Sequence, residues 1–355
     1  MDGMKGICYM ALRSVKLENF TVFENIKCDF SPGINIIIGA NGTGKTHLLK
    51  VLYAFCSCKT YLDGAASELT KLKDDFFDLL KKCFQGKSVV QLLAAESKQI
   101  DICVESREGL YSFSALSLAK QEDVATSNAA AYSIIKNEKL PIASVYIPTK
   151  EMLSHSKGLT SLYNEYELPF DATQIDIIGK AQFPVARLVP SIAKNILPRL
   201  ENILDGKVVE ENDEFFVEKR NGMKVPFALE AEGVKKIGVL WKLLISKRIT
   251  ADTVLFWDEP EANINPTIMP VVVDTLLELS RQGVQIFVST HDYLFGKYFE
   301  VKRTDGDAVR FHSLYKSNEG IKYEHNENFR DLKKNPIIAA YDELLDEVIR
   351  LNLGD

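Results

Sequence analysis

The sequence predicts an α/β fold with a parallel sheet and a phosphate-binding loop, on three observations. The apolar run INIII, residues 34 to 38, breaks into Gly39-Ala-Asn-Gly-Thr-Gly-Lys45-Thr46 and resumes as the helix-like HLLKVLYAF. Two later runs, TVLFWDEP and VQIFVSTHD, are continuously apolar before they end in polar residues. The segment between them, NPTIMPVVVDTLLELSRQG, has helical spacing. Strands that are apolar throughout and alternate with helices are expected where helices cover both faces of a parallel sheet.

The flanking segments follow in order. LRSVKLENF and IKCDF alternate in period two, and SPG turns the chain into INIII, so antiparallel strands are expected ahead of the loop. From Thr60 to Ala95 the spacing is helical, with Leu69, Leu72, Phe76, Leu79, Leu80, Cys83 and Phe84 on one stripe. IDICVESREGLYSFSAL reads as two strands about a turn at Glu108-Gly109, ATSNAAAYS as a loop, and ASVYIPTK as a buried strand. Residues 151–205 are helical but interrupted by Pro169, Pro184, Pro190 and Pro198, with no heptads long enough for a coiled coil. EFFVEKRNGMKVPFAL is a hairpin about Asn221-Gly222, and VKKIGVLWKLLISKRI an amphipathic helix. VRFHSLYKSNEGIKYEH closes the chain as a hairpin, followed by the helix PIIAAYDELLDEVIRL. The expected organisation is a head made of residues 1–150, with a helical insertion at 56–99, and residues 206–355. Residues 151–205 form an inserted helical arm.

Composition narrows the class. At 355 residues the chain is long enough for one large α/β domain or two smaller ones, and 46% hydrophobic with 26% charged residues suits a globular protein. No run reaches the roughly 18 to 20 apolar residues that cross a bilayer. The N-terminal MDGMKGICYMALRSVKLENF lacks a signal-peptide core, so a cytoplasmic location and no membrane partner are expected. Cys8, Cys28, Cys56, Cys58, Cys83 and Cys103 show no metal-ligand or disulfide spacing and are expected as free thiols, Cys56 and Cys58 as packing residues rather than a redox pair. The net charge of -6 argues against a globally basic nucleic-acid footprint.

The chemistry concentrates at the predicted strand ends. Gly39 to Thr46 fits G-x-x-x-x-G-K-[ST] between a strand and a helix, the context that this phosphate loop requires. Asn41, Gly42, Thr43, Gly44, Lys45, Thr46 and His47 are the candidate nucleotide contacts. Backbone N–H groups would cradle phosphate, Lys45 would bridge the terminal phosphates, and the Thr46 hydroxyl would hold Mg²⁺. Downstream, Asp258 ends a buried strand and suits support of the metal, and Glu259 beside it suits activation of the attacking water. His291 ends the next strand and emerges at the same sheet edge, placing it for the γ-phosphate. Catalytic roles therefore fall to Lys45, Glu259 and His291, and metal binding to Thr46 and Asp258, with ATP and Mg²⁺ as the implied ligands.

The order of these motifs, with Ala231-Glu232-Gly233 at a helix start before DEP, resembles the ABC-type ATPases. LRSVKLENFTVFENIKCDFSPGINIIIGANGTGKTHLL resembles the N-terminal lobe of the SMC, RecF and OLD-like group, and WDEPEANINP its DEPE-x-x-L-H-P segment. The resemblance implies an ABC-type P-loop head with an antiparallel β lobe and no long coiled coil. It also implies two heads that bind ATP between them, the loop of one facing the signature helix of the other. Ala231, Glu232 and Gly233 stand at that signature, with Ala231 where the family has serine, and Asn263 and Asn265 lie in the segment expected to cross the dimer. For the glutamine that follows the family's middle strand, this chain offers Lys150 or Glu151.

Three function classes follow. The first is an ATP-gated dimerising switch, in DNA-related processes or antiphage defence, with a homodimer or higher homo-oligomer, a separately encoded effector nuclease or toxin, and DNA as possible partners. Lys180, Arg187, Lys194 and Arg199 are its candidate DNA contacts, set against an ordinary solvated helix face. The second is a transporter nucleotide-binding subunit, disfavoured because LSGGQ and a glutamine loop are absent. The third is a small-molecule kinase, which would need neither the signature helix nor His291.

Overall fold

A computed structural model describes residues 11–58, 66–94, 97–107, 109–116, 142–166 and 168–353. The elements of the N-terminal part are β1 (Leu12–Phe20), β2 (Phe23–Asp29), β3 (Ile34–Ile38), α1 (Lys45–Cys56), α2 (Ala66–Cys83), β4 (Gln99–Ser106), β5 (Gly109–Leu116) and β6 (Ser144–Ile147). Then come α3 (Leu159–Glu165), α4 (Ala172–Ala181), α5 (Leu197–Leu204), β7 (Gly206–Glu211), β8 (Glu214–Lys219), β9 (Lys224–Pro226) and α6 (Glu232–Ile245). The last are β10 (Val254–Asp258), α7 (Met269–Arg281), β11 (Gln285–Thr290), α8 (Tyr293–Lys302), β12 (Val309–Ser317), β13 (Gly320–Asn326) and α9 (Pro336–Leu353).

The central sheet runs β13-β12-β3-β11-β10-β6, with β13 antiparallel at one edge and the remaining neighbours parallel. Alternate residues of its strands feed two cores. Ile34, Ile36, Ile38, Leu255, Trp257, Ile286 and Val288 face a cluster shared with α4, α5, α6 and α7. Ile37, Val254, Phe256 and Phe287 face the opposite cluster, which holds α1, α2 and the antiparallel sheet β2-β1-β4-β5. Burial on both faces is why these strands are mostly apolar on both of their faces, with Asn35 of β3 the buried polar exception in that run. A third sheet, β7-β8-β9, packs beside α6. The chain thus has the mixed α/β head and the antiparallel β lobe expected of it.

Several local readings change. The helical spacing of Thr60 to Ala95 becomes α2, which ends at Cys83; Gln85 takes a positive φ of 53°, Gly86 follows, and a 3-10 turn occupies Val89–Leu92. A left-handed residue ends a helix because it turns the next N–H away from the helical ladder. Leu72, Phe76, Leu80 and Cys83 are buried as the stripe requires. The side chain of Leu69, the loop ATSNAAAYS, Glu108 and Cys8 lie outside the described residues. Strand β7 was not expected from the sequence; it pairs with β8 about Asn212-Asp213, both at positive φ, a two-residue hairpin turn. Residues 151–205 are packed into the head, since Ile177, Ile178, Ile196, Leu200 and Leu204 belong to the cluster shared with α6 and α7.

A buried polar link joins the two strands beside the phosphate loop. His312 of β12 contacts Asn35 Oδ1 of β3 through Nε2 at 3.0 Å, and Tyr323 OH approaches its Nδ1 at 2.8 Å. Asn35 Oδ1 also accepts the Ser31 N–H at 2.7 Å, and its amide donates to Ser31 O at 2.9 Å. This pattern suits a neutral ring with the proton on Nε2. Burial, with Arg310 and His325 adding to it, holds the His312 pKa well below the ordinary 6.5. The unfolded chain therefore takes up a proton below 6.5 that the folded chain excludes, and stability falls with pH there. Urea unfolding midpoints should be level from pH 8 to 7 and drop from 6.5 to 5. His312→Gln should flatten part of that drop while losing about 1–3 kcal/mol at pH 7.5, because Asn35 and Tyr323 lose a partner.

Candidate functional site

The loop is shaped by close packing. Gly44 precedes α1 at φ 92°, and a Cβ there would lie 2.4 Å from the Phe23 ring and 2.7 Å from a Val22 methyl. A Cβ on Gly39 would meet Leu314 O at 2.5 Å. Only glycine fits either place, so strands β2 and β12 press the loop from two sides. Lys45 is buried, and its ammonium donates to Gly39 O at 2.8 Å and Ala40 O at 3.3 Å. Burial lowers its pKa, opposed by Glu259, Asp258 and Glu261. Asn41 and Gly42 are exposed at the lip, whereas Thr43 is buried and bonds Ala40 O at 2.9 Å.

Asp258 gathers the strand ends. Its Oδ2 accepts from the Thr46 hydroxyl at 2.9 Å and from Tyr146 OH at 3.3 Å, and its Oδ1 from Ser289 Oγ. Glu259 follows at φ 48°, a left-handed conformation that costs a residue with a side chain on the order of 1 kcal/mol. Its N–H donates to Ser289 O at 3.2 Å and Ser289 Oγ at 3.1 Å, and its carbonyl accepts from the Lys236 ammonium at 2.9 Å. These contacts hold the bend. Its carboxylate meets His291 Nδ1 at 3.0 Å. Thus Lys45, Thr46, Asp258, Glu259 and His291 converge at one end of the sheet.

Other expected residues sit apart. Ala231 caps α6 without a side-chain hydrogen bond, and Glu232 pairs with Lys235 at 2.7 Å. Gly233 is packed against Asn263 O and Ile264 Cα, each 3.3 Å from where its Cβ would lie. Among the described residues, none of the three bonds to the phosphate loop of its own chain. His47 turns to Thr21 Oγ1 at 2.9 Å and lies edge-on to Phe84. The Glu151 carboxylate caps the turn that follows it, accepting the Leu153 and Ser154 N–H groups and the Ser154 hydroxyl, while Lys150 is exposed. Lys180 pairs with Asp176 and Arg199 with Glu278, whereas Arg187 and Lys194 are exposed.

Sequence reasoning missed three contributors. Glu261 is buried, and its Oε1 accepts Thr290 Oγ1 at 2.6 Å and the His291 N–H at 3.2 Å, so it fixes the strand end that carries His291. Burial pushes its pKa up. Lys236 is the second. Its i, i+3 relation to Gly233 hinted that α6 reaches back toward DEP, but its target is a carbonyl 23 residues away. The third is Lys316, whose ammonium lies 3.9 Å from the Cβ position of Gly42 because β12 runs on past the end of β3. No local pattern announces such a contact.

This arrangement defines a P-loop ATPase head. Residues 10–181 match AAA_15, an AAA ATPase domain, and residues 127–295 match AAA_21, an AAA domain whose description carries the labels AbiEii toxin and Type IV TA system. Each model covers a little under half of the chain, and together they span residues 10–295 with ATPase-domain matches. The DNA replication and repair protein RecF of Oenococcus oeni is 36% identical over 70 residues, 20% of this chain and 19% of that protein. RecF of Staphylococcus epidermidis is 36% identical over 67 residues, 19% of this chain and 18% of that protein. The match therefore spans about a fifth of the length of these curated relatives. By structure the chain is similar to an SMC head bound to the C-winged helix domain of ScpA, with TM-score 0.52 and 13% identity over 91% of this chain and 99% of that one. At that identity the likeness establishes the fold. Among the described residues no helix is long and apolar enough to cross a membrane.

Burial lowers the Lys236 pKa to about 8, with Glu261, Glu259 and Asp258 opposing the shift. A folded lysine with a lowered pKa excludes a proton that the unfolded chain binds, so stability rises as pH passes from 8 toward 10.5. Lys236→Met should remove this component of the urea-midpoint profile. It should also release the Glu259 carbonyl and lower kcat for ATP about 10-fold, with ATP affinity changed less than about 3-fold. Loss of affinity instead would place Lys236 in nucleotide binding rather than in positioning Glu259.

Proposed function

We propose that this chain hydrolyses ATP with Mg²⁺ and acts as a switch whose heads close on each other around the nucleotide. The observation that carries this reading is the convergence of Lys45, Thr46, Asp258, Glu259 and His291 at the carboxyl end of the parallel sheet. Lys45 now donates to carbonyls of its own loop, contacts that phosphate oxygens would replace. One hydroxyl and one carboxylate, from Thr46 and Asp258, suit a hard cation whose remaining ligands are phosphate and water. Mg²⁺ held there would neutralise charge on the phosphates.

The residues of the chain divide the remaining work. Glu259 takes the proton of the attacking water, its backbone held in the left-handed bend and its carboxylate on His291. His291 orients that carboxylate through Nδ1; in its protonated form it also donates from Nε2 to the transferred phosphate. The uncapped N-terminus of α6, with Ala231, Glu232 and Gly233, offers N–H donors and a positive helix end to the γ-phosphate of a second head. A composite site of this kind couples assembly to nucleotide state. For the output, the RecF relatives favour DNA-related work, and the toxin–antitoxin labels of AAA_21 favour a defence role with a separate effector protein.

Glu259→Gln should reduce phosphate release at least about 100-fold while ATP affinity stays within a few-fold. ATP-dependent dimers of this variant should accumulate in light scattering. Unchanged turnover would remove Glu259 from the role of base, and turnover blocked without any ATP-dependent assembly would remove the two-headed switch.

A further inference from the structure

The surface of α9 is unlike the rest of the head. Ile337 and Ile338 anchor its first turn on the core, and Tyr341 stacks on Tyr293 of α8 with ring centroids 4.2 Å apart. Beyond Tyr341 the helix stands free, with every residue from 342 to 352 exposed. Leu344, Leu345, Val348, Ile349 and Leu351 are between 42% and 82% exposed. At 100° per residue these side chains and Tyr341 fall on one arc, which also holds Asn352 near its end, and Asp342, Glu343, Asp346, Glu347 and Arg350 fall on the other. The apolar arc exposes on the order of 500 Å², a size that monomers seldom leave uncovered without a function for it.

Spacing and charge say what covers it. Tyr341, Leu344, Val348 and Leu351 follow one another at intervals of 3, 4 and 3 residues, the spacing of a two-stranded coiled-coil seam that begins where Ile337 leaves the core. With Tyr341 and Val348 at a, and Leu344 and Leu351 at d, Leu345 falls at e, and Asp342, Glu343, Asp346, Ile349 and Arg350 fall at the outer b, c and f positions. Glu347 alone falls at g. In a parallel pair it faces Asn352 of the other helix at e, so no like charges meet across the seam; an antiparallel pair would set Glu347 against its own copy. A symmetric pair, with Ile349 left outside the seam, would cover on the order of 800 Å², the size of a weak and reversible interface.

We propose that α9 pairs with α9 of a second copy as a short parallel coiled coil, holding two heads together without nucleotide. Such a tether is separate from closure on ATP and raises the effective concentration of one head for the other. Sedimentation of the nucleotide-free chain should show a reversible dimer with Kd in the micromolar range, about 1–50 μM. Lys45→Ala should leave it unchanged. Leu344→Asp with Val348→Asp should weaken it at least about 100-fold, while ATP binding and the circular dichroism spectrum remain. Glu343→Ala on the outer face should have no effect, and Val348→Cys should form a disulfide-linked dimer on oxidation. A nucleotide-free monomer at 100 μM, or a dimer indifferent to Leu344→Asp with Val348→Asp, would overturn the proposal. Neither result bears on ATP-driven closure, which the Glu259→Gln variant tests by itself.

Discussion

The hydrogen bonds on Asp258 are the constraint on which the site depends. Thr46 opens α1 after β3, Ser289 lies near the end of β11, and Tyr146 belongs to β6, so one carboxylate at the end of β10 collects groups from three other strands or their ends. β3 and β10 are not neighbours; β11 separates them. The Thr46–Asp258 contact therefore requires all three strands to end at a common level. Parallel register supplies this, since Asp258 pairs with Ser289, and Thr290 with Ile38. A one-residue slip of β10 would send Asp258 to the other face of the sheet and leave Trp257 beside the loop.

Electrostatics then selects how the acids at this edge behave. Asp258, Glu259 and Glu261 lie within four residues, and Lys45 and Lys236 are buried beside them. Each lysine loses basicity on burial, and each regains part of it from the same carboxylates. Glu261 has no lysine in contact. Burial raises its pKa, opposed by the hydrogen bonds that one of its oxygens takes from Thr290 and the His291 N–H; the other oxygen has no hydrogen-bond partner among the described residues. Of the three acids, Glu259 is the carboxylate that engages His291 Nδ1 most closely, at 3.0 Å against 3.9 Å for Glu261.

Much of this was legible in the sequence because the strands that carry the site are buried on both faces. INIII, VLFW and QIFVS could be recognised without knowing their neighbours, and the polar residue that ends each run had to surface at one edge. What stayed hidden depended on partners distant in the chain. Glu151 follows a strand as a site residue would, yet a cap on its own turn absorbs its carboxylate. Lys236 sat inside an amphipathic pattern that explained it without a partner. The end of α2 rested on Gln85 taking a positive φ, which glutamine does not advertise, and β7 rested on a turn at Asn212-Asp213 next to a more obvious Asn-Gly.

The segment 151–205 shows how packing can make an insertion part of the machine. Lys50 and Tyr53 lie one turn apart on α1, the helix that begins at the phosphate loop. Lys50 pairs with Asp171, the N-cap of α4, at 2.9 Å, and Tyr53 OH bonds Asp176, which also holds Lys180. Lys50, Asp171 and Tyr53 are largely shielded from water, whereas Asp176 is about a third exposed, so separating the helices would leave the buried groups without partners. That loss is on the order of several kcal/mol. Helix α4 also rests on β6, whose Tyr146 reaches Asp258. Any displacement of α1 that keeps its hydrogen bonds must therefore carry α4 with it, and the two helices move as one body on the sheet.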